Sequence, residues 1–277
     1  MSVTPSQLPL VPKMKKDLIL SLLEEGRRID GRGPREHRPI EIKVNYVEKA
    51  NGSALVKLGD TIVLSGVKIE LGIPFPDAPS EGVLMVNAEF VPIASPFFEP
   101  GPPDENAAEL ARVIDRSLRE TRALDLESLV VIPGQKVLIV WNDIYIISHA
   151  GNLIDAASIA TMAALSTTKL PKVEVTDDRV ELIRDELVKP LEIKKKVVTA
   201  TVAKIGDYYV VDPNDEEELV ADARLAVSFE SGGVIAGIQK IGAGALSPED
   251  VNAMINLAWS AAQSYLKKLE EFLKEGA

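Results

Sequence analysis

Residues 109 to 122 read ELARVIDRSLRETR, with four arginines inside eleven positions of a chain whose formal net charge is -11. At about 100° per residue, Leu110, Ile114 and Leu118, with Ala107 and Ala111, share one sector of a helix, while Arg112, Arg116 and Arg119 fall within roughly 60° of one another on the opposite side. Arg122 lies some 60° round toward the apolar edge by the same geometry. Three guanidinium groups projecting one way suit successive phosphates of a polyanion, because each presents a fork of donors. An ordinary solvated face is the competing reading: Glu109 precedes Arg112 by three positions and Glu120 follows Arg116 by four, a spacing at which ion pairs contribute a few tenths of a kcal/mol.

Other groups could do chemistry. The run DPNDEEE, Asp212 to Glu218, sets five acids in seven positions. It reads as a solvated turn, with a carboxylate site for a divalent cation as the alternative. His149 in SHAGN has no acid or nucleophile readable beside it, so a structural role is expected. The glycines of IGAGALS lack the lysine and hydroxyl of a phosphate loop and suit turns or close backbone approach.

These groups need elements to hold them. PKMKKDLILSLLEEG reads as a short helix stopped at Gly26. IEIKVNYVE alternates apolar and charged residues, SALVKLGDTIVLSGVKIEL holds two β-branched segments around Gly59-Asp60, and GVLMVNAEFV reads as a further strand. After a proline-rich loop, Asp104 is placed to cap the arginine-bearing helix. KVLIVWNDIYIIS reads as a long buried strand and NLIDAASIATMAALS as a buried helix. Residues 171–196, charged and bounded by prolines, are expected to connect two lobes, 1–170 and 197–277. The second lobe offers strands at VVTATVAKIGDYYVV, RLAVSFES and GVIAGIQKIG. It closes on a helix capped by Ser247 with Pro248 at its first position. Strand runs broken by single helices predict an α+β fold with mixed, mostly antiparallel sheets.

Composition removes several classes. The sequence has no cysteine and two histidines, which excludes thiolate chemistry and thiolate metal sites and makes a multi-histidine site remote. No stretch approaches the roughly 20 apolar residues of a membrane span, and MSVTPSQLPL lacks a basic start followed by an apolar run. A cytoplasmic protein is expected. The acidic balance argues against a protein that coats nucleic acid over its whole surface. A local basic groove stays open, since screening limits exposed charges to about 8 Å.

RRIDGRGPREHRPIEI, GSALVKLGDTIVLSGVK, LMVNAEFVPIASPFFEPGPPDENAAELARVIDRSLRE and WNDIYIISHAGNLIDAASIATMAAL, in this order, resemble the RNase PH family of phosphate-dependent 3'-to-5' exoribonucleases. The similarity runs from about residue 25 to the C-terminal helix. It is greatest toward the non-catalytic ring subunit of the archaeal exosome. The resemblance implies an RNase PH-like fold whose first lobe is of the ribosomal protein S5 domain 2-like type.

The sequence departs from the active pattern at two places. Active members hold the attacking phosphate in a Gly-Gly-Ser/Thr-Arg turn after the long central strand. Set against HAGNLIDAA, the hydroxyl falls on Leu153 and the arginine on Ile154, which supply no such donors. Active members also carry two aspartates six residues apart in the second lobe. An ungapped placement puts Glu218 and Arg224 there, and an arginine can neither bind a cation nor act as a base near neutral pH. A shift of two residues would substitute Asp222.

The resemblance therefore implies a catalytically silent chain with no cofactor of its own. Its partners would be a catalytic RNase PH-like subunit, with which it forms a hexameric ring of three heterodimers, RNA-binding cap subunits, and single-stranded RNA. Inorganic phosphate and any Mg²⁺ would sit in the catalytic partner. Arg112, Arg116 and Arg119 match the family's positions facing the RNA path, with Arg122 a poorer candidate. Two rivals stay open: a phosphorolytic nuclease active alone through Asp212, Asp222 and the acidic run, and a scaffold without RNA contact.

Overall fold

The computed structural model of the chain describes residues 13–176 and 179–275. The decapeptide MSVTPSQLPL lies outside the described residues. Helix α1 (Lys13–Glu24) buries Ile19 and Leu23 in a small satellite core with Ile205, Val210 and Val220. Strands β1 (Ile40–Val44), β2 (Gly52–Leu58) and β3 (Thr61–Gly72) form an antiparallel meander. In β3, buried and half-buried residues alternate, the mark of a strand with one face on the core.

Strand β4 (Val83–Phe90), helix α2 (Glu105–Glu120), the short β5 (Val130–Ile132) and β6 (Lys136–Ser148) follow. β4 and β6 pair in parallel, so the chain must return to the same end of the sheet between them, and α2 lies in that crossover. Its apolar stripe, Ala107, Leu110, Ala111, Val113, Ile114 and Leu118, is buried. Asp104 caps the helix as expected, its carboxylate accepting from Ala107 N at 2.8 Å. The sheet order is β1-β2-β3-β6-β4, with β5 on β6.

Helix α3 (Leu153–Thr167) is apolar all round and buries every residue from Asp155 to Leu165, as a helix sandwiched between two layers must. One layer is the first sheet. The other is a four-stranded antiparallel sheet, β10-β9-β11-β12, of β9 (Val197–Ile205), β10 (Tyr208–Val211), β11 (Ala223–Glu230) and β12 (Ile235–Ile241). Helix α5 (Pro248–Glu275) covers it with Met254, Ala258, Ala262, Tyr265 and Leu269. Ser247 caps α5, its hydroxyl accepting from Asp250 N at 3.1 Å while Asp250 Oδ2 accepts from Ser247 N at 2.8 Å.

One continuous buried cluster runs from β2 and β3 through α3 to β9, β11 and α5. The charged stretch between the sheets is a two-stranded hairpin, β7 (Lys169–Val175) with β8 (Val180–Pro190). One expectation changes. The acidic run is not a solvated turn. Most of it forms helix α4 (Asp215–Val220), closed by a capping box in which Asn214 and Glu217 exchange hydrogen bonds. Among the described residues, no helix is long and apolar enough to cross a membrane.

Candidate active-site cavity and arginine row

A cavity of about 520 Å³ opens where α3 begins, between the two sheets, with Leu153, Ile154, His149, Phe98, Glu218 and Arg224 on its wall. The sequence-selected positions 153, 154, 218 and 224 thus meet in one place, though they are spread over 72 positions of chain.

At its floor, Asn152 takes a left-handed backbone conformation with φ 52°. Its backbone N–H, aimed outward ahead of α3, donates to Glu218 Oε1 at 3.1 Å. The same Glu218 oxygen accepts from Arg224 Nη1 in a close ion pair. The positive end of α3 and the one arginine of the cavity wall therefore face a carboxylate that belongs to the chain. Leu153 and Ile154 add only hydrocarbon. Asp222 does not reach this cavity: its carboxylate accepts from Lys16 Nζ and from Gly206 N–H, each at 2.7 Å. These donors hold its pKa below the usual range, outweighing the opposing effect of partial burial.

His149 stacks on Phe98 with ring centroids 5.4 Å apart. Burial lowers its pKa, the charges of Glu218 and Asp215 opposing only in part, which favours the neutral ring. Its Nδ1 accepts from Gly151 N–H at 3.3 Å, which assigns the ring proton to Nε2.

Below the cavity lies a buried network that sequence reasoning missed. Asp212, read there as part of a solvated run, is fully buried. It receives Arg38 through Nη2 at 2.7 Å and Nε at 2.9 Å, and Arg32 Nη1 at 3.1 Å. Burial pushes its pKa up, but the Arg38 hydrogen bonds and charge prevail and hold it below the ordinary carboxylate value. Glu217, also buried, is paired with buried Arg28. Arg38 continues to the carbonyls of Ala150 at 2.8 Å and Gly151 at 3.2 Å, and so fixes the loop that leads into α3. The detectable signal was charge complementarity: Arg28, Arg32 and Arg38 all lie in RRIDGRGPREHR, a dense cationic stretch of the first lobe.

The Asn152 side chain joins this network to a second acid. Its Nδ2 donates to both Asp212 Oδ1 and Asp155 Oδ2 at 2.7 Å. Asp155 also accepts from Thr201 N at 3.0 Å, Thr201 Oγ1 at 2.7 Å and Tyr265 OH at 3.2 Å. Burial pushes Asp155 up to about 7 against these donors, with the Asp212 charge adding to the rise. Among the described residues, no group of three or more His, Asp or Glu is placed to hold a metal ion. The cavity also does not fit inorganic phosphate, because Glu218 puts negative charge where the donors converge.

The arginine row lies on α2, which lends Asn106, Glu109 and Leu110 to the cavity wall while none of the three arginines lines it, and its three members differ. All are exposed. Arg112 has no hydrogen-bond or ion-pair partner among the described residues. Arg116 donates from Nη2 to Gln239 Oε1 at 3.2 Å. Arg119 is engaged by Asp115, with Nε 2.8 Å from Oδ2, and by the carbonyl of Leu84. The Glu109–Arg112 and Glu120–Arg116 pairs expected of a solvated face do not form. Arg122 lies off the row altogether, because α2 ends at Glu120 and Arg122 takes φ 51°.

Comparison with known proteins places this geometry. A family model for domain 1 of the 3' exoribonuclease family matches residues 36–171, and one for domain 2 matches residues 196–261. The chain belongs to the 3' exoribonuclease family. In this 3' exoribonuclease-family chain the cavity is the junction of the two domains, Leu153 and Ile154 coming from the first and Glu218 and Arg224 from the second. The chain is 51% identical over 271 residues to the exosome complex component Rrp42 of Sulfurisphaera tokodaii, covering 98% of each chain. It is 52% identical over 275 residues to the Aeropyrum pernix protein of the same name, covering 99% of this chain and 100% of the other. Its fold matches a chain of the Archaeoglobus fulgidus exosome with RNA bound to the active site, with TM-score 0.82, 43% identity, and 92% of this chain and 97% of that one covered. A chain of an archaeal exosome core matches with TM-score 0.79 and 39% identity, over 93% of this chain and 96% of that one.

Proposed function

We propose that this chain is the non-catalytic ring subunit of an archaeal exosome. It pairs with a catalytic RNase PH-like subunit in a hexameric ring of three heterodimers, and RNA-binding cap subunits sit on one face. The high identity to proteins named exosome complex component Rrp42 supports membership in such a complex. The silence of the chain rests chiefly on one observation: the Glu218 carboxylate accepts the Asn152 N–H at the start of α3.

A phosphate brought to that amide would meet a like charge, with apolar Leu153 and Ile154 where a hydroxyl and a guanidinium would be needed. The chain holds no phosphate or Mg²⁺ of its own, and its catalytic partner supplies both. Its own contribution is structural support of the partner's site and a grip on single-stranded RNA. Arg112 and Arg116 carry that grip, with Arg119 contributing less because Asp115 already neutralises it. Contacts to the sugar-phosphate backbone carry no base information, which suits degradation of any sequence. The complex acts in the cytoplasm.

Calorimetric titration of the isolated chain with inorganic phosphate tests the silent site. The reading requires no saturable binding at millimolar phosphate, and saturation in the micromolar range would overturn it.

A further inference from the structure

Gln239 on β12 stands between two residues of α2. Its Oε1 accepts from Arg116 Nη2 at 3.2 Å, and its Nε2 donates to Glu109 Oε1 at 2.9 Å. The chemistry of the neighbours fixes this amide orientation, since a guanidinium offers only donors and an ionised carboxylate only acceptors. Glutamate at 239 would set a second carboxylate against Glu109, and lysine would set a second cation against Arg116. A glutamine meets both demands in one side chain.

A Cβ added at Gly237, two residues earlier on β12, would lie 3.8 Å from Arg116 Nε, so the guanidinium end of the side chain passes close over this strand. Arg116 thereby differs from Arg119. Arg119 is held by a carboxylate that cancels its charge, whereas Arg116 is held by a neutral oxygen through one of its five N–H donors, and among the described residues no carboxylate pairs with it.

We infer that Gln239 is a positioning residue for RNA: it orders the Arg116 guanidinium on the exposed face of α2 without neutralising it, using Glu109 to fix its own amide. This rests on the proposed role of Arg116 in gripping RNA. Ordering a long, rotamer-rich side chain before binding removes a cost otherwise met when phosphate arrives.

The test is a double-mutant cycle on the full-length chain assembled in its exosome complex, with binding of single-stranded oligoadenylate measured at several salt concentrations. Gln239→Met, which keeps length and removes both polar contacts, should weaken binding about 3- to 10-fold, the scale of immobilising one such side chain. In an Arg116→Ala background the same change should have no further effect. Unchanged thermal unfolding and ring assembly would exclude a general structural defect. A Gln239→Met effect that persists in full without Arg116 would overturn the inference, because Gln239 would then act on RNA by itself. So would normal affinity in Gln239→Met alongside weakened binding in Arg116→Ala. If Arg116→Ala itself binds RNA normally, the arginine grip fails first, and the inference falls with it for that separate reason.

Discussion

The backbone N–H of Asn152 donates to the Glu218 carboxylate at 3.1 Å, so the start of α3 faces a negative charge that the chain itself supplies. Arg224 joins the same oxygen from β11. The three groups come from both family domains and leave no converging set of free anion donors on the cavity floor. Replacing Leu153 with Ser and Ile154 with Arg therefore should not create phosphorolysis in the isolated chain, since Glu218 still holds the amide and Arg224 still pairs with that carboxylate. Phosphate-dependent shortening of a 3' single-stranded RNA is the assay, and activity from those two changes alone would show the second-lobe residues to be irrelevant.

Charge reversal in the arginine row should act through electrostatics. Arg112→Glu with Arg116→Glu is expected to leave assembly intact and weaken RNA retention, with the slope of log affinity against log salt shallower by about 0.7 for each lost single-strand phosphate contact. Arg119→Ala should change the slope less, because Asp115 already pairs with Arg119. Equal slopes for all variants would return the row to an ordinary solvated face.

Glu217 and Arg28 pair with both side chains at 0% exposure. Removing one partner leaves the other charge buried, so Glu217→Ala should cost about 3–5 kcal/mol. A thermal-unfolding midpoint close to the unaltered protein's would contradict the buried pair.

Asp155 gives a pH dependence of known sign. Its folded pKa is raised by burial to about 7, so between the unfolded carboxylate value and about 7 the folded state binds more protons than the unfolded one. Stability must then fall as pH rises through that window, by at most about 1.4 kcal/mol per pH unit for one proton. Asp212, held below its usual value chiefly by Arg38 against the effect of burial, works oppositely: its contribution is present above the unfolded value and lost as pH falls through the folded one. Comparing Asp155→Asn with the unaltered chain from pH 5 to 8 isolates the first effect. The difference in unfolding midpoint should shift in favour of Asn as pH rises, and a pH-independent difference would reject the assignment.

Gly151 tests the geometry of the loop. It has φ +87°, and an added Cβ would lie 2.4 Å from the carbonyl carbon of Asn214. Gly151→Ala should destabilise the chain by roughly 1–3 kcal/mol and disturb the approach of Glu218 to Asn152, visible as a changed amide resonance at 152. An unperturbed spectrum would mean that the two loops are not in contact.

Much of the architecture was legible from local chemistry. Asp104 and Ser247 announced their helices through capping, and the alanine-rich stretch from Asn152 predicted a helix with no solvent face. What local pattern could not supply was distance. Asp212 looked like a solvated acid because Arg38, its partner, lies 174 positions earlier, and nothing near Asp212 marks it for burial. The parallel pairing of β4 with β6 depends on where the α2 crossover returns the chain, which strand composition does not encode. Within α2, the row of arginines was readable from the helical period, but the choice of Asp115 by Arg119 and of Gln239 by Arg116 was not. The first is one of several ion pairs available on that face, and the second depends on a strand from the other domain.

The central claim, a phosphorolytic fold without its own chemistry, is tested most directly by phosphate-dependent shortening of a 3' single-stranded RNA. The measurement compares this chain alone, its catalytic partner alone and the two mixed. The account predicts no shortening by this chain alone and greater activity from the mixture than from the partner by itself. Robust phosphorolysis by the pure isolated chain would contradict it.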